Sequence, residues 1–232
     1  DIERYMISIS RKVINGEEIE VGDEIRAAKW SSINTFFKFL SQKKYIDHNP
    51  MLQTERPKIK TKHTVTYMTS EEIKSVFDKI DAEAKPSIRN RDACIVAIGL
   101  STGLRVSAIS NINIEDINFK ENIIRVIEKG RKTRDIKFAD NLKNMIYLWM
   151  KDRELYFNGR ETGPLFLSLK KNRLSVDAIQ AIVKKYTEHL PKHITPHKLR
   201  STYGTNLYRE TGDIYLVAEV LGHNDVNTTR KH

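Results

Sequence analysis

Near the start of the chain, apolar residues recur at helical spacing. Ile25, Ala28, Ile33, Phe36, Phe37 and Leu40 fall at three- and four-residue steps, which places them on one face of a helix over residues 24–43. Residues 1–14 are expected to be helical as well. The period is then lost. Residues 49–68, NPMLQTERPKIKTKHTVTYM, carry Pro50, Pro57 and many cations, the composition of a linker. A domain boundary is placed there, giving a helical domain over residues 1–50, a linker over 51–68 and a larger domain over 69–232.

Past the linker, TSEE at 69–72 has the form of a capping box, Thr69 and Glu72 each satisfying the other's backbone N–H. A helix runs from it through Ile80. RDACIVAIGLSTG, 91–103, is an apolar helix stopped by Gly103, which can take the left-handed conformation of a helix end. Residues 105–112 form a short helix. IIRVIEKGRKTRDIKFA, 123–139, changes character: two β-branched runs flank a basic, glycine-containing tip, the pattern of a hairpin. Helices follow at about 140–151 (Leu142, Met145, Ile146, Trp149) and 175–186 (Val176, Ile179, Ile182, Val183, Tyr186), then from Thr195 and from near Asp213. The fold class is mainly α with a small antiparallel β-sheet (α+β).

Charge changes this picture from fold to partner. Lys and Arg outnumber Asp and Glu by 40 to 30 over 232 residues, a formal charge of +10. That balance favours a polyanion, nucleic acid above all, although a basic surface without a specific partner has the same arithmetic. The single cysteine, Cys94, lies in the apolar run ACIVAIGL and reads as a buried thiol, which points to a reducing, cytoplasmic compartment. No apolar stretch reaches the roughly 18–20 residues of a membrane span. The first residues lack the layout of a signal peptide. The chain starts in helix-like sequence, so the first domain is expected to be incomplete at its N-terminus.

Four short segments could carry chemistry. In TPHKLR, 195–200, Thr195 suits the N-cap and Pro196 the first helical position, which sets His197 and Arg200 on one face near a helix start. An imidazole and a guanidinium beside unpaired N–H groups make a phosphate site; a basic helix with a chance His-x-x-Arg is the plainer account. In STGLR, 101–105, a glycine stop fixes the direction of Arg105, or leaves it a surface arginine. The hairpin tip EKGRKTR, 128–134, gathers cations that suit DNA phosphates, or a solvated turn. In LGH, 221–223, Gly222 reads as a C-cap with His223 fixed beyond it.

Taken in order, these segments carry a resemblance. TGLR at 102–105, the hairpin lysine, TPHKLR at 195–200 and LGH at 221–223 follow one another as in the tyrosine site-specific recombinases of the phage-integrase and Xer type. The likeness spans nearly the whole chain. SSINTFFKFLSQKKYIDHNP, 31–50, resembles the family's core-binding domain, and LFLSLKKNRLS, 165–175, has its look as well. The resemblance implies an enzyme that cleaves and rejoins DNA through a 3′-phosphotyrosyl intermediate, for a mobile element or phage, without metal or cofactor. It implies double-stranded DNA with paired sites as partner, and a homo-tetramer on that DNA. By the same resemblance Arg105 and Arg200 clamp the scissile phosphate, Lys129 is the general acid with Lys132 its rival, His197 handles the nucleophile's proton, and His223 donates to a phosphate oxygen. Arg131, Lys132, Arg134 and Lys198 are expected DNA contacts.

The chain departs from the family pattern at three positions. The acidic residue expected three after Arg105 is Ala108, and the position after His197 holds Lys198. The nucleophilic tyrosine falls about nine residues after the second histidine in the family; here that position is His232, so either histidine stands in its place or the register is longer by one and tyrosine is expected at the next position. Tyr203, Tyr208 and Tyr215 precede His223 in helix-like sequence and read as core or helix surface. Without the family's C-terminal segment, assembly is expected to be weak. A DNA-binding regulator without a nucleophile and a type IB topoisomerase-like nicking enzyme are the other readings.

Overall fold

A computed structural model of the chain describes residues 2–14, 16–59, 66–127, 133–157 and 163–222. The chain divides into two compact units, residues 1–63 and 64–232.

The first unit opens with helix α1 (Ile2–Ser8). The helix expected over 1–14 ends there. Strands β1 (Arg11–Ile14) and β2 (Glu17–Glu20) follow as an antiparallel hairpin with Ile14 opposite Glu17, and Gly16 lies in the turn at φ 86°. The Asn15-Gly16 pair is a hairpin signal in its own right, but β2 is exposed along its length and shows no inside-outside alternation to mark it. Helix α2 spans Asp23–Gln42. Its packed face is rotated from the expected one. Ala27 is buried, while Ile25 and Phe36 are 50% and 57% exposed. The face is fixed by polar contacts that hydrophobic periodicity misses: Trp30 Nε1 donates to Thr54 Oγ1 at 2.8 Å, and Asn49 Nδ2 to Asn34 Oδ1 at 2.8 Å. Asn49 also caps a 3-10 turn, Pro50–Gln53, that buries Met51. Packing therefore reaches several residues into the stretch read as a linker.

In the second unit the helices are α3 (Ser70–Glu83), α4 (Pro86–Thr102), α5 (Val106–Asn111), α6 (Asp140–Phe157), α7 (Val176–Thr187), α8 (Pro196–Thr211) and α9 (Ile214–Leu221). A three-stranded antiparallel sheet, β3 (Ile117–Asn118), β4 (Ile123–Ile127) and β5 (Thr133–Lys137), lies between α5 and α6 in the chain. The α3 capping box forms, with both the Thr69 and Glu72 side chains bonded to backbone N–H groups. On β4, Ile124 and Val126 point inward while Arg125 faces solvent, where it pairs with Asp135 on β5 at 2.9 Å.

From Cys94 onward helix α4 is apolar nearly all round because it is the shared wall of two cores. Cys94, Ile95 and Ile98 pack into a cluster with Ile124, Ile136, Trp149, Phe166 and Ile179. Val96 faces a second cluster with Met68, Val76, Ile80, Val183, Tyr186 and Leu199. Full burial pushes the Cys94 thiol above its ordinary range. Three buried polar groups satisfy one another: Arg91 pairs with Asp92 and donates to the Leu167 carbonyl at 2.9 Å, and the Tyr186 hydroxyl donates to Asp92 at 3.0 Å. This joins α4, α7 and the 165–174 segment. Among the described residues no helix is long and apolar enough to cross a membrane, and no His, Cys, Asp or Glu group is disposed to hold a metal ion.

Candidate active site

Three helices meet closely enough to bring the separate sequence segments together. Helix α4 ends at Gly103, with φ 61°. A Cβ there would lie 2.6 Å from Tyr203 Cδ1 and 2.7 Å from Leu221 Cδ2, so glycine is required by both conformation and space. Gly204 on α8 is likewise close to Leu221, at 3.0 Å from a built Cβ. The ends of α4 and α9 therefore seat against the same stretch of α8.

At the start of α8, Pro196 is the first helical residue and Thr195 is the N-cap, though its hydroxyl makes no capping bond. The Thr195 carbonyl instead receives the N–H of Lys198 at 2.8 Å and of Leu199 at 3.2 Å. His197 is exposed, Lys198 half-buried and Arg200 buried. The spacing in TPHKLR puts the histidine and arginine near one helix start, but burial separates them in depth. A groove of about 490 Å³ opens beside His197, lined by Val106, Asp177, Lys184, His193 and Pro196 among others.

Arg200 is 3% exposed, and its guanidinium donates to two main-chain carbonyls, Gly103 (2.6 Å) and Leu221. Arg105, exposed at the N-cap of α5, reaches the next carbonyl of the same turn, Gly222, at 3.4 Å. Arg134 on β5 donates to the preceding two, Glu219 at 3.2 Å and Val220 at 2.5 Å. Four consecutive carbonyls at the end of α9 thus accept from three arginines on three different elements. The cause is general: the last carbonyls of a helix run short of intrahelical donors, Glu219 alone of these four also accepting the Gly222 N–H, and they carry the helix's partial negative charge. Gly222 closes α9 in the left-handed conformation at φ 62°. A glycine C-cap in the sequence marks such a terminus, yet gives no hint of which cations it receives.

Lys129, Arg131, Lys132, His223 and His232 lie outside the described residues. Ala108, where the resemblance calls for an acid, is half-buried and packs against the first core. Carbonyls of residues 103, 221 and 222 hold Arg105 and Arg200 in this chain. Burial pushes the Tyr203 phenol up, and the nearby Arg134 charge only partly offsets it, a setting opposed to phenolate chemistry. Tyr208 and Tyr215 are 47% and 69% exposed on helix surfaces. Arg173 is a feature the motifs did not flag: it donates to the Ser110 carbonyl at 2.9 Å and to Asn113 Oδ1 at 2.5 Å, fixing the end of α5.

Comparison with known proteins adds to this geometry. Residues 66–232 match the model of the phage integrase family. The chain is 37% identical over 210 residues to the tyrosine recombinase XerC of Caldanaerobacter subterraneus subsp. tengcongensis, a match covering 88% of this chain and 57% of that protein. It is 30% identical over 217 residues to XerC of Syntrophus aciditrophicus, covering 89% and 68%. The chain thus spans well under two thirds of the first of these relatives. Among solved structures, the Tn1549 transposon integrase in complex with transposon right end DNA has a TM-score of 0.70 at 21% identity, over 90% of this chain and 74% of that one. XerH bound to its difH substrate has a TM-score of 0.65 at 24% identity, over 91% and 66%. At these identities the structural likeness is one of fold.

Proposed function

This chain belongs to the phage integrase family of tyrosine recombinases, and from that premise we propose that it carries the strand-cleaving site of a site-specific DNA recombinase serving a mobile element or phage. The observation that carries the proposal is the convergence of Arg105 and Arg200 on one turn, Leu221–Gly222, immediately before His223 in the sequence.

A phosphodiester under attack passes through a dianionic, five-coordinate state. Two guanidiniums, permanently charged and forked, suit its non-bridging oxygens. Anchoring part of each guanidinium on a main-chain carbonyl fixes the plane of its other N–H groups before DNA arrives. Such preorganisation is the usual source of electrostatic catalysis. In the proposed step a tyrosine hydroxyl, placed just after position 232, attacks phosphorus; a 3′-phosphotyrosyl bond forms as the bond to the 5′-oxygen breaks. His197 takes or orients the proton of the nucleophile, as imidazole can near neutral pH. Lys129 gives a proton to the leaving 5′-oxygen, and His223 donates to a phosphate oxygen. Attack by a 5′-hydroxyl of the partner duplex reverses the step, so no external energy source is needed. The partner is double-stranded DNA with paired sites, bound by a homo-tetramer. Binding rests on phosphate contacts and weakens steeply with salt.

The test uses the gene product in full and a nicked suicide substrate that traps the covalent adduct. Wild type accumulates the adduct, whereas Arg200→Lys and Arg105→Lys, which keep charge but lose the fork, slow it by about 10²–10³-fold. Near-normal rates in both variants would remove the clamp assignment. No adduct from wild type, with no tyrosine encoded after His232, would replace cleavage by DNA binding alone. Lys129→Ala is expected to recover on DNA with a 5′-bridging sulfur, which leaves without a proton.

A further inference from the structure

We infer that Arg134 is a positioning residue of the cleavage site, a clasp on the C-terminal turn of α9 rather than a contact to the DNA backbone. The inference rests on the recombinase reading above and names how that site is held in register.

Arg134 is the second residue of β5 and pairs with Val126 of β4. It is half-buried. Its Nη1 spans the carbonyls of Glu219 and Val220, at 3.2 and 2.5 Å. The next two carbonyls along are those that orient Arg200 and Arg105. Anything that shifts the end of α9 therefore moves the anchors of both phosphate-binding arginines together. His223 follows Gly222 directly in the sequence. Arg134 lies one pair from the end of the β4–β5 ladder, so one guanidinium ties that ladder to the helix end, and Lys129 falls between the two strands in the sequence. A backbone-reading arginine would present its guanidinium to solvent. This one has Nη1 directed at a helix terminus whose partial charge it complements.

The packing beneath the clasp makes position, not folding, its expected contribution. Val217 and Leu221 of α9 are buried, and Leu221 sits against Gly103 and Gly204. Those contacts persist when Arg134 is changed, so α9 stays docked while its last turn loosens.

Arg134→Gln and Arg134→Lys in the full-length recombinase test this. Three quantities are read: the single-turnover rate of adduct formation at saturating DNA, the salt slope of DNA affinity, and hydrogen exchange at the Gly222 amide, which donates to Glu219 at 2.9 Å. For Arg134→Gln the adduct rate falls about 10- to 100-fold, as expected when reacting groups are misplaced by an ångström or so. The salt slope stays at its wild-type value, and Gly222 exchanges faster. Arg134→Lys, which returns a cation to the helix end, recovers part of the rate. A salt slope shallower by about one, with the saturated rate unchanged, would make Arg134 a phosphate contact and overturn the clasp. Unchanged rate and unchanged exchange would overturn it as well. If Arg134→Gln does not fold, Arg134→Lys decides alone: the clasp requires a reduced rate with a wild-type slope. If wild type forms no adduct, the functional reading fails, and the exchange at Gly222 still judges the clasp.

Discussion

The two units bury their hydrophobic residues to different degrees, and the difference tracks the precision each requires. In the first unit the buried apolar residues among those described are Val21, Ala27 and Met51, while Ile25, Phe36 and Phe39 of α2 are half or more exposed. In the second, α4 is the wall of two continuous clusters, and Trp149, Phe166 and Tyr186 are fully enclosed. Helix α2 of the first unit is placed by a few polar contacts such as Trp30 to Thr54. The second must hold guanidiniums from α5, α8 and β5 against one helix end. Close packing transmits position because a filled core has few alternative arrangements.

Mutations can break or sharpen this contrast. The largest effect is expected for Trp149→Ala. It removes a fully buried ring stacked near Phe166 and a hydrogen bond to the Leu165 carbonyl at 2.8 Å, and should cost about 3–5 kcal/mol in denaturant unfolding. Gly103→Ala comes next. The positive φ and the approach to Tyr203 and Leu221 should cost roughly 1–3 kcal/mol, read as a lower Tm, with a loss of cleavage beyond the loss of stability. A third change probes an end of the second unit. Burial alone would raise the Glu72 carboxyl, but Lys192 and the Thr69 N–H outweigh it, and the group titrates below its ordinary value. A depressed carboxylate stabilises the fold above the unfolded value and loses that contribution as pH falls through the folded one. Glu72→Gln should therefore cost under about 1 kcal/mol near neutrality, and the gap to wild type should close below roughly pH 4.3. The smallest effect belongs to Phe36→Ser, 57% exposed, within about 0.5 kcal/mol of wild type by thermal melting. If Phe36→Ser matched Trp149→Ala, the contrast between the units would be lost.

Legibility followed the range of the interactions. Helix ends were readable at Thr69, Gly103, Asp213 and Gly222 because a cap is decided within a few residues, and each sits where the sequence puts it. The 123–139 hairpin was readable from two β-branched runs about a glycine tip. The hairpin at 11–20 was missed because exposed strands show no alternation, leaving Asn15-Gly16 as its one marker. The buried face of α2 was misplaced by taking its large apolar residues as the core, when a small one, Ala27, and a polar-tipped one, Trp30, lie against the rest of the unit.

For the site, the sequence by itself singled out the candidates to meet a phosphate: Arg105, Lys129, His197, Arg200 and His223 stand out in an order that carries the family likeness. It also determined the glycines that end α4 and α9. Only the tertiary structure decided that Arg200 is buried while His197 is exposed, that Arg105 and Arg200 share a turn, and that Arg134 faces a helix end. The placement of all three arginines depends on carbonyls brought in from distant parts of the chain. A carbonyl is the same group at every position, so the sequence names the donors and the fold alone supplies the acceptors.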